Sequence, residues 1–190
     1  MKVGLFFGSF NPIHIGHLII ANHMTNHSDI DELWFIVSPQ SPFKQKTSLL
    51  AEYDRLHLVQ TAIEDNNKLR ASNIEFSLPR PSYTIDTLTY IKEKYPSNSF
   101  VLIMGSDNLM TFHKWKNYEI ILKNHEIYVY NRPDKMETTL FNHEKVKLFP
   151  APMLNISSSY IRECIKTGLS IKYIVPDQVL DQIEKSSFYC

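Results

Sequence analysis

The sequence predicts an α/β protein built on a doubly wound, mostly parallel sheet with helices on both faces, in one domain spanning residues 1–190. Three observations lead there. Runs that are apolar throughout, at residues 3–7, 33–37, 100–104 and 127–130, have the composition of strands covered on both faces. Between them lie stretches whose apolar residues recur every three or four positions, the period of a helix with one buried side. A chain of 190 residues also falls below the ~250 at which single cores usually split. Alternating strands and helices then require right-handed crossovers into a parallel sheet.

Each element follows in order. The first strand covers 3–7, and a first helix runs from about residue 16 to 27. After the strand at 33–37, Leu49, Tyr53, Leu56, Val59 and Ile63 mark a second helix. Residues 69–76 are more polar but still read as a strand. Ile85, Leu88, Ile91 and Tyr95 mark a third helix, closed by Pro96 and Ser97 ahead of the strand at 100–104. A further strand at 127–130 precedes a helix over 157–167, stopped by Gly168, and a last helix starts at Pro176. Two long loops, 38–48 and 131–144, are candidate functional segments.

Composition narrows the function. Twenty basic and twenty acidic side chains cancel, which argues against a protein that coats nucleic acid and leaves room for a local basic pocket. A hydrophobic content of 43%, with 11 Phe and 10 Tyr, excludes a disordered chain. Cys164 and Cys190 make neither a disulfide framework nor a thiolate cluster for zinc, so a cytoplasmic location is expected. No apolar stretch approaches the ~20 residues that cross a bilayer, and no membrane partner is expected. The apolar run at 3–7 is too short for a signal peptide and is followed by Ser9, Asn11 and His14. Homo-oligomerisation is left open.

In an open parallel sheet, ligands sit beyond the carboxyl ends of the strands, near the point where strand order reverses. The first strand is followed there by Gly8-Ser9-Phe10-Asn11-Pro12-Ile13-His14-Ile15-Gly16-His17-Leu18. Gly8 lets backbone approach a phosphate closely, and Gly16 does the same where the helix opens. His14 and His17 are three apart, so both rings can address one group at that helix end, where the dipole adds positive potential. That combination suits a polyphosphate. Two surface histidines beside a turn are the structural alternative; zinc is disfavoured because no cysteine or third ligand stands near. Toward the other end lies Asn155-Ile156-Ser157-Ser158-Ser159-Tyr160-Ile161-Arg162. Ser157 and Ser158 are placed to cap a helix, with Arg162 one turn later, making a second anion site or, more plainly, an ordinary serine cap with an exposed arginine.

Taken together, these two elements resemble those of the HxGH-type nucleotidylyltransferases, most closely the bacterial nicotinate-nucleotide adenylyltransferases. Residues 8–17 match the opening motif, with Asn11 where Asp is frequent, and residues 156–162 match the closing Ile-Ser-Ser-x-x-Ile-Arg motif. Pro81-Ser82-Tyr83-Thr84-Ile85-Asp86-Thr87-Leu88, Gly105-Ser106-Asp107-Asn108-Leu109 and Trp115-Lys116 resemble the internal motifs of the nicotinate branch. The match spans nearly the whole chain in the expected order. It implies a Rossmann-like fold and transfer of the adenylyl group of ATP to nicotinate mononucleotide, giving deamido-NAD and pyrophosphate.

The resemblance also implies a division of the site. His14, His17, Lys44 and Arg162 would be the catalytic cations or donors. ATP would lie on Gly8, Ser9, Phe10, Gly16, Gly105 and Asp107, with Arg132 flanking the adenine and Ile156, Ser157, Ser158 and Arg162 on the triphosphate. Nicotinate mononucleotide would take Ser9, Asn11, Lys44, Thr84, Trp115 and Lys116. Asp107 would accept from a ribose hydroxyl, its structural alternative being a helix N-cap, and Trp115 would stack on a ligand ring rather than pack in the core. Asp86, two residues past Thr84 on a helix, is expected to point away from the acceptor. Mg²⁺ is expected as cofactor, bound through ATP oxygens with no protein ligands. The chemistry agrees: the attacking phosphate has a second ionisation near ~6 and needs no general base, so catalysis reduces to holding two anions in line and offsetting charge.

Three other readings stand beside it. Residues 14–17 also spell the ATP motif of class I aminoacyl-tRNA synthetases, but residues 135–139 only partly match their lysine motif and no length remains for an anticodon domain. Pantetheine-phosphate adenylyltransferases share both terminal motifs, while residues 82–84 and Trp115 point away from them and toward a pyridine mononucleotide, nicotinate or nicotinamide. A non-enzymatic nucleotide sensor is the reading of a different class.

Overall fold

A computed structural model describes residues 1–39, 49–130, 138–152 and 154–190. Six strands form one parallel sheet: β1 (Lys2–Gly8), β2 (Glu32–Val37), β3 (Leu69–Ser72), β4 (Ser99–Gly105), β5 (Ile127–Tyr130) and β6 (Val146–Phe149), in the order β3-β2-β1-β4-β5-β6. Seven helices connect or follow them: α1 (Ile15–His27), α2 (Glu52–Ile63), α3 (Thr84–Lys94), α4 (Ser106–Thr111), α5 (Tyr118–Asn124), α6 (Ser158–Lys166) and α7 (Asp177–Lys185). This is the doubly wound architecture that the sequence predicts, with every described strand pair parallel.

The apolar runs are continuous because alternate residues enter two different cores. On one face Phe6, Phe35, Val101 and Ile103 pack with Ile20, Ala21 and Met24 of α1, Leu58 and Val59 of α2, Ile161 of α6 and Val179 of α7. On the other face Val3, Leu5, Trp34, Leu102 and Met104 pack with Leu88 and Ile91 of α3, Leu109 of α4 and Ile121 of α5. Leu5 lies at the centre of the sheet, in register with Trp34 on one side and Leu102 on the other.

The differences from expectation have local causes. The polar third strand ends at Ser72, and the chain turns through a 3-10 turn over Ile74–Ser77 instead of extending to residue 76. β6, Val-Lys-Leu-Phe, escapes a search for apolar runs because it pairs on one side only, with β5, and carries Lys147. α4 and α5, of 6 and 7 residues, are too short to display a helical period. The loop after β5 contains a 3-10 turn over Thr139–Asn142, capped by Thr138. Lys44 and Arg132 lie outside the described residues. Among those described, no helix is long and apolar enough to cross a membrane.

The layout makes a direct stability prediction. Leu5 is 0% exposed at the sheet centre, so Leu5→Ala should cost ~2–5 kcal/mol in urea denaturation, as large-to-small core changes do. Tyr173→Ala, at a side chain 79% exposed, should stay within ~0.5 kcal/mol. Near-equal losses at the two positions would contradict the central placement of β1.

Candidate active site

The order β3-β2-β1-β4-β5-β6 reverses direction beside β1, so the turn after that strand lies at the crevice where such sheets bind ligands. The turn is tightly built. Phe10 adopts a positive φ of 44°, held by edge-on packing of its ring against Phe6, Phe35 and His17. Its ring is buried in the core, so any part Phe10 takes in binding is through its backbone. A Cβ at Gly8 would stand 2.7 Å from that ring. The space freed at Gly8 is therefore taken by Phe10, a packing use that stands beside the phosphate approach the sequence suggests. The Asn11–Pro12 peptide is cis. The Asn11 side chain is spent on the loop itself, its Oδ1 accepting from the Leu50 N–H at 3.1 Å.

His14 is the extended residue that opens α1, and its ring stacks on that of His17 with centroids 3.7 Å apart. At Gly16 a Cβ would sit 3.1 Å from the His14 ring, so this glycine makes room for the imidazole. His14 is 5% exposed, and burial pushes its pKa down to about 4. Burial thus favours the neutral imidazole at pH 7, so of the two roles the sequence allows, cation or donor, it supports the donor. The backbone N–H of His14 donates to Nδ1 of His17 at 3.3 Å, which in the neutral ring leaves the proton on Nε2.

The closing motif meets this turn directly. Ser157 is the N-cap of α6, its Oγ accepting from the Tyr160 N–H at 3.1 Å. The Ser158 hydroxyl donates to the Pro12 carbonyl at 2.9 Å, and Arg162 Nη1 donates to the Asn11 carbonyl at 2.8 Å. Residues 146 and 151 positions apart in sequence are thus brought to one loop, with the α6 N-terminus beside it. Arg162 is half-buried, so the exposed-arginine alternative does not describe it, and Ile156 packs against the core.

A cavity of about 540 Å³ opens on the other flank of the turn. Gly8, Ser9, Thr84, Trp115 and Lys116 line it, five of the predicted site residues. Thr84 is the first residue of α3, where only the first N–H groups lack a helical acceptor, since those of Asp86 and Thr87 donate to the Tyr83 carbonyl at 3.0 and 3.2 Å. Trp115 does two things: it faces the cavity and packs on Phe112 with centroids 5.3 Å apart, so the expectation of stacking instead of core packing is half corrected. Lys116 pairs with Asp86 at 2.9 Å and sits 4.7 Å above the Tyr83 ring, at the cavity rim. Asp86 does not line the cavity. Gly105, not Asp107, is the N-cap of α4; Asp107 lies in its first turn, which corrects the N-cap alternative.

Two residues of the site were not foreseen. Arg55, 0% exposed, donates through Nε to Leu50 O at 2.9 Å, through Nη1 to Ser9 O at 2.6 Å and Ser38 O at 2.9 Å, and through Nη2 to Pro39 O at 3.2 Å. Glu75, 2% exposed, lines the cavity and accepts from Thr87 Oγ1 at 2.7 Å, from Ser82 Oγ at 3.0 Å and from the Ser38 side chain. Burial pushes its pKa up, and these three hydroxyls oppose the shift. A lone Arg beside a helical stripe and a Glu in a polar strand both read as solvated faces. The one available signal was that Arg55 adjoins Leu56 on the stripe.

The depressed His14 pKa has a consequence for stability. The unfolded chain takes up this proton near 6.5 and the folded chain only near 4, so stability rises with pH across that window. Above 6.5 the group makes no pH-dependent contribution, and falling to about 4 removes about 3 kcal/mol. Urea midpoints of the wild type and His14→Gln, measured from pH 7.5 to 4, should diverge with the wild type losing more. Parallel curves would rule out a neutral buried His14.

The fold agrees with comparisons to known proteins. Residues 5–164 match the model of the cytidylyltransferase-like family. A protein of Cytophaga hutchinsonii described as "probable nicotinate-nucleotide adenylyltransferase" is 56% identical, over 100% of this chain and 98% of its own. A protein of Flavobacterium psychrophilum with the same description is 53% identical, over 100% and 99%. Among solved structures, the Plasmodium falciparum nicotinic acid mononucleotide adenylyltransferase complexed with NaAD shares the fold with a TM-score of 0.83 at 24% identity, over 99% of this chain and 97% of that one. The opening turn, the α6 cap that clamps it and the full-length likeness together mean that this chain belongs to the cytidylyltransferase-like family, among its nicotinate-nucleotide adenylyltransferases.

Proposed function

We infer that this chain transfers the adenylyl group of ATP to nicotinate mononucleotide, releasing pyrophosphate and deamido-NAD. The observation that carries this reading is the meeting of the His14–His17 stack and the α6 N-terminus on one turn, beside a cavity that the α3 N-terminus and Trp115 wall. The relatives' descriptions support the choice of acceptor.

In the reaction a phosphate oxygen of the mononucleotide attacks the α-phosphorus of ATP. The bond from that phosphorus to the bridging oxygen breaks, and pyrophosphate leaves with its electron pair. The nucleophile is already anionic, so no residue need remove a proton. The protein's work is alignment and charge stabilisation. His17, protonated on Nε2, is placed to donate to the reacting phosphate, and His14 supports it by stacking and through its backbone N–H. The α6 N-terminus and Arg162 are assigned to the triphosphate, Asp107 to a ribose hydroxyl. Lys44 and Arg132 are assigned on resemblance to the reacting phosphates and the adenine edge. The donors described here are N–H and O–H groups, which suit phosphate oxygens, so Mg²⁺ would be held through ATP. When bound it offsets charge on the β- and γ-phosphates.

On the acceptor side, the early N–H groups of α3 and the Thr84 hydroxyl are donors suited to a carboxylate, with Trp115 covering the pyridine face. A carboxamide would turn an NH₂ toward those donors and leave groups unpaired. Pyrophosphate release with ATP and Mg²⁺ should therefore run to many equivalents per chain with nicotinate mononucleotide. Its kcat/KM should exceed that with nicotinamide mononucleotide by at least ~10-fold, and Thr84→Val should narrow the gap. Release with phosphopantetheine instead, or only one equivalent per chain, would remove the assignment. Equal efficiencies would move the protein to a dual-specificity enzyme.

His17→Ala should lower kcat by the ~10²–10³ typical of one lost oxyanion-type donor, with a smaller change in ATP binding. A variant that keeps wild-type kcat would take His17 out of the mechanism.

A further inference from the structure

Among the described residues two formally charged side chains are buried, Arg55 and Glu75, and both are anchored on the same residue. Arg55 holds the Ser38 carbonyl at 2.9 Å, and the Ser38 side chain hydrogen-bonds the Glu75 carboxylate. Ser38 itself is pinned to β1, its N–H donating to the Gly8 carbonyl at 2.9 Å. On the Arg55 side the contacts run to Ser9, Pro39 and Leu50, the loops that flank the turn clamped by α6. On the Glu75 side they run to Ser82 and Thr87, which bracket the start of α3. Other charges near Arg55 are already engaged: Glu52 is paired with Arg80 at 2.6 Å.

This is an expensive arrangement for stability alone, because a buried cation and a buried anion each lose their hydration and do not touch one another. What it achieves is geometric. The guanidinium is a rigid planar fork and fixes several carbonyls relative to one another. The carboxylate does the same for three hydroxyls. Ser38 joins the two across the floor of the cleft.

We propose that Arg55, Ser38 and Glu75 form one positioning bridge that fixes the turn carrying the nucleotide side of the site relative to the α3 N-terminus on the mononucleotide side. The proposal rests on the adenylyl-transfer reading for its kinetic consequence, but not for its structural one. In-line attack depends on the separation of the two half-sites, and none of the three residues need touch a reacting atom. They are positioning residues.

The test uses the full chain with Ser38→Ala, Glu75→Gln, the double variant, and Val179→Ala in α7 as a control for lost stability. Val179 is fully buried in the helical layer away from the cavity. Each bridge variant should lower kcat with ATP and nicotinate mononucleotide ~10-fold or more, as small misplacements do. Val179→Ala should keep kcat within ~2-fold at an equal or larger drop in Tm. The double variant should be no worse than the worse single, because a broken bridge cannot be broken twice. Multiplying effects, or losses that the control reproduces at matched Tm, would overturn the proposal.

Amide hydrogen exchange on the same proteins without substrate separates this idea from the functional reading. Glu75→Gln should speed exchange at residues 9–11 as well as 83–87, and Val179→Ala at neither. Acceleration confined to 83–87 would overturn the bridge even in an active enzyme. If the wild type released no pyrophosphate with nicotinate mononucleotide, the functional reading would fail, and the exchange pattern would still decide the bridge.

Discussion

A guanidinium sealed from water must spend its donors inside the protein, and at Arg55 each of the described bonds goes to a backbone carbonyl. That requirement shapes the carboxyl ends of β1 and β2. Ser9, Ser38, Pro39 and Leu50 must converge on one planar group, and their loops are held where a doubly wound sheet leaves its crevice. The rest of the site is built on these loops. Asn11 takes the Leu50 N–H, α6 closes on the Asn11 and Pro12 carbonyls, and the Phe10 ring turns inward under the turn. Loops ordinarily satisfy their backbone groups with water. Here a buried cation does so, and the backbone becomes a fixed part of the cleft.

What was legible in the sequence is what repeats or is chemically uncommon. Val3, Leu5, Trp34 and Leu102 belong to runs without polar interruption, and two-sided burial is the physical reason. The Gly8–His17 and Ile156–Arg162 segments place unusual residue types at turn and cap positions, and the structure brings them to a single loop. Arg55 and Glu75 were not legible, because their burial is created by tertiary contacts that run between different elements, to residues from 5 to 46 positions away. A charged residue on a helix carries no mark that says its face will be covered. β6 was missed for a related reason: an edge strand with Lys147 has no run of apolar side chains. The glycines were legible as constraints, and the structure adds a packing reason for them that the sequence does not show: the Phe10 and His14 rings occupy the space a Cβ would need.

The electrostatics of the site also differ from a count of its basic residues. His14 is held neutral by burial, and the backbone bond at His17 Nδ1 orients that ring as a directed donor. Ser157 satisfies one N–H of the α6 terminus and leaves the end of the helix dipole facing the turn. Ser158 and one arm of Arg162 are spent on holding the turn. Among the described residues, the proposed anion site is therefore assembled from oriented N–H groups more than from free cations. Such donors need no reorganisation when charge develops on a phosphorus centre, which is the condition under which they stabilise a transition state best.

The same logic applies to the acceptor cavity. Its described titratable lining includes Glu75, Lys114 and Lys116, and Lys116 is paired with Asp86 just outside. The pair is half exposed, so its own contribution is small. Taking Lys114 against Glu75 and Lys116 against Asp86, the formal charges cancel. Among the described residues, then, formal side-chain charge alone gives the cavity no net positive potential. On the proposed reading, selection rests on where donors point: the first N–H groups of α3 are donor-only and would distinguish an acceptor oxygen from an NH₂ at the same position, with the Thr84 hydroxyl adding a bond to the oxygen. Glu75 belongs to this argument too. With Ser82 and Thr87 turned toward it, its carboxyl group fixes the helix start, and on the proposed reading a buried acidic group in the wall thereby aims donors at the ligand's carboxylate.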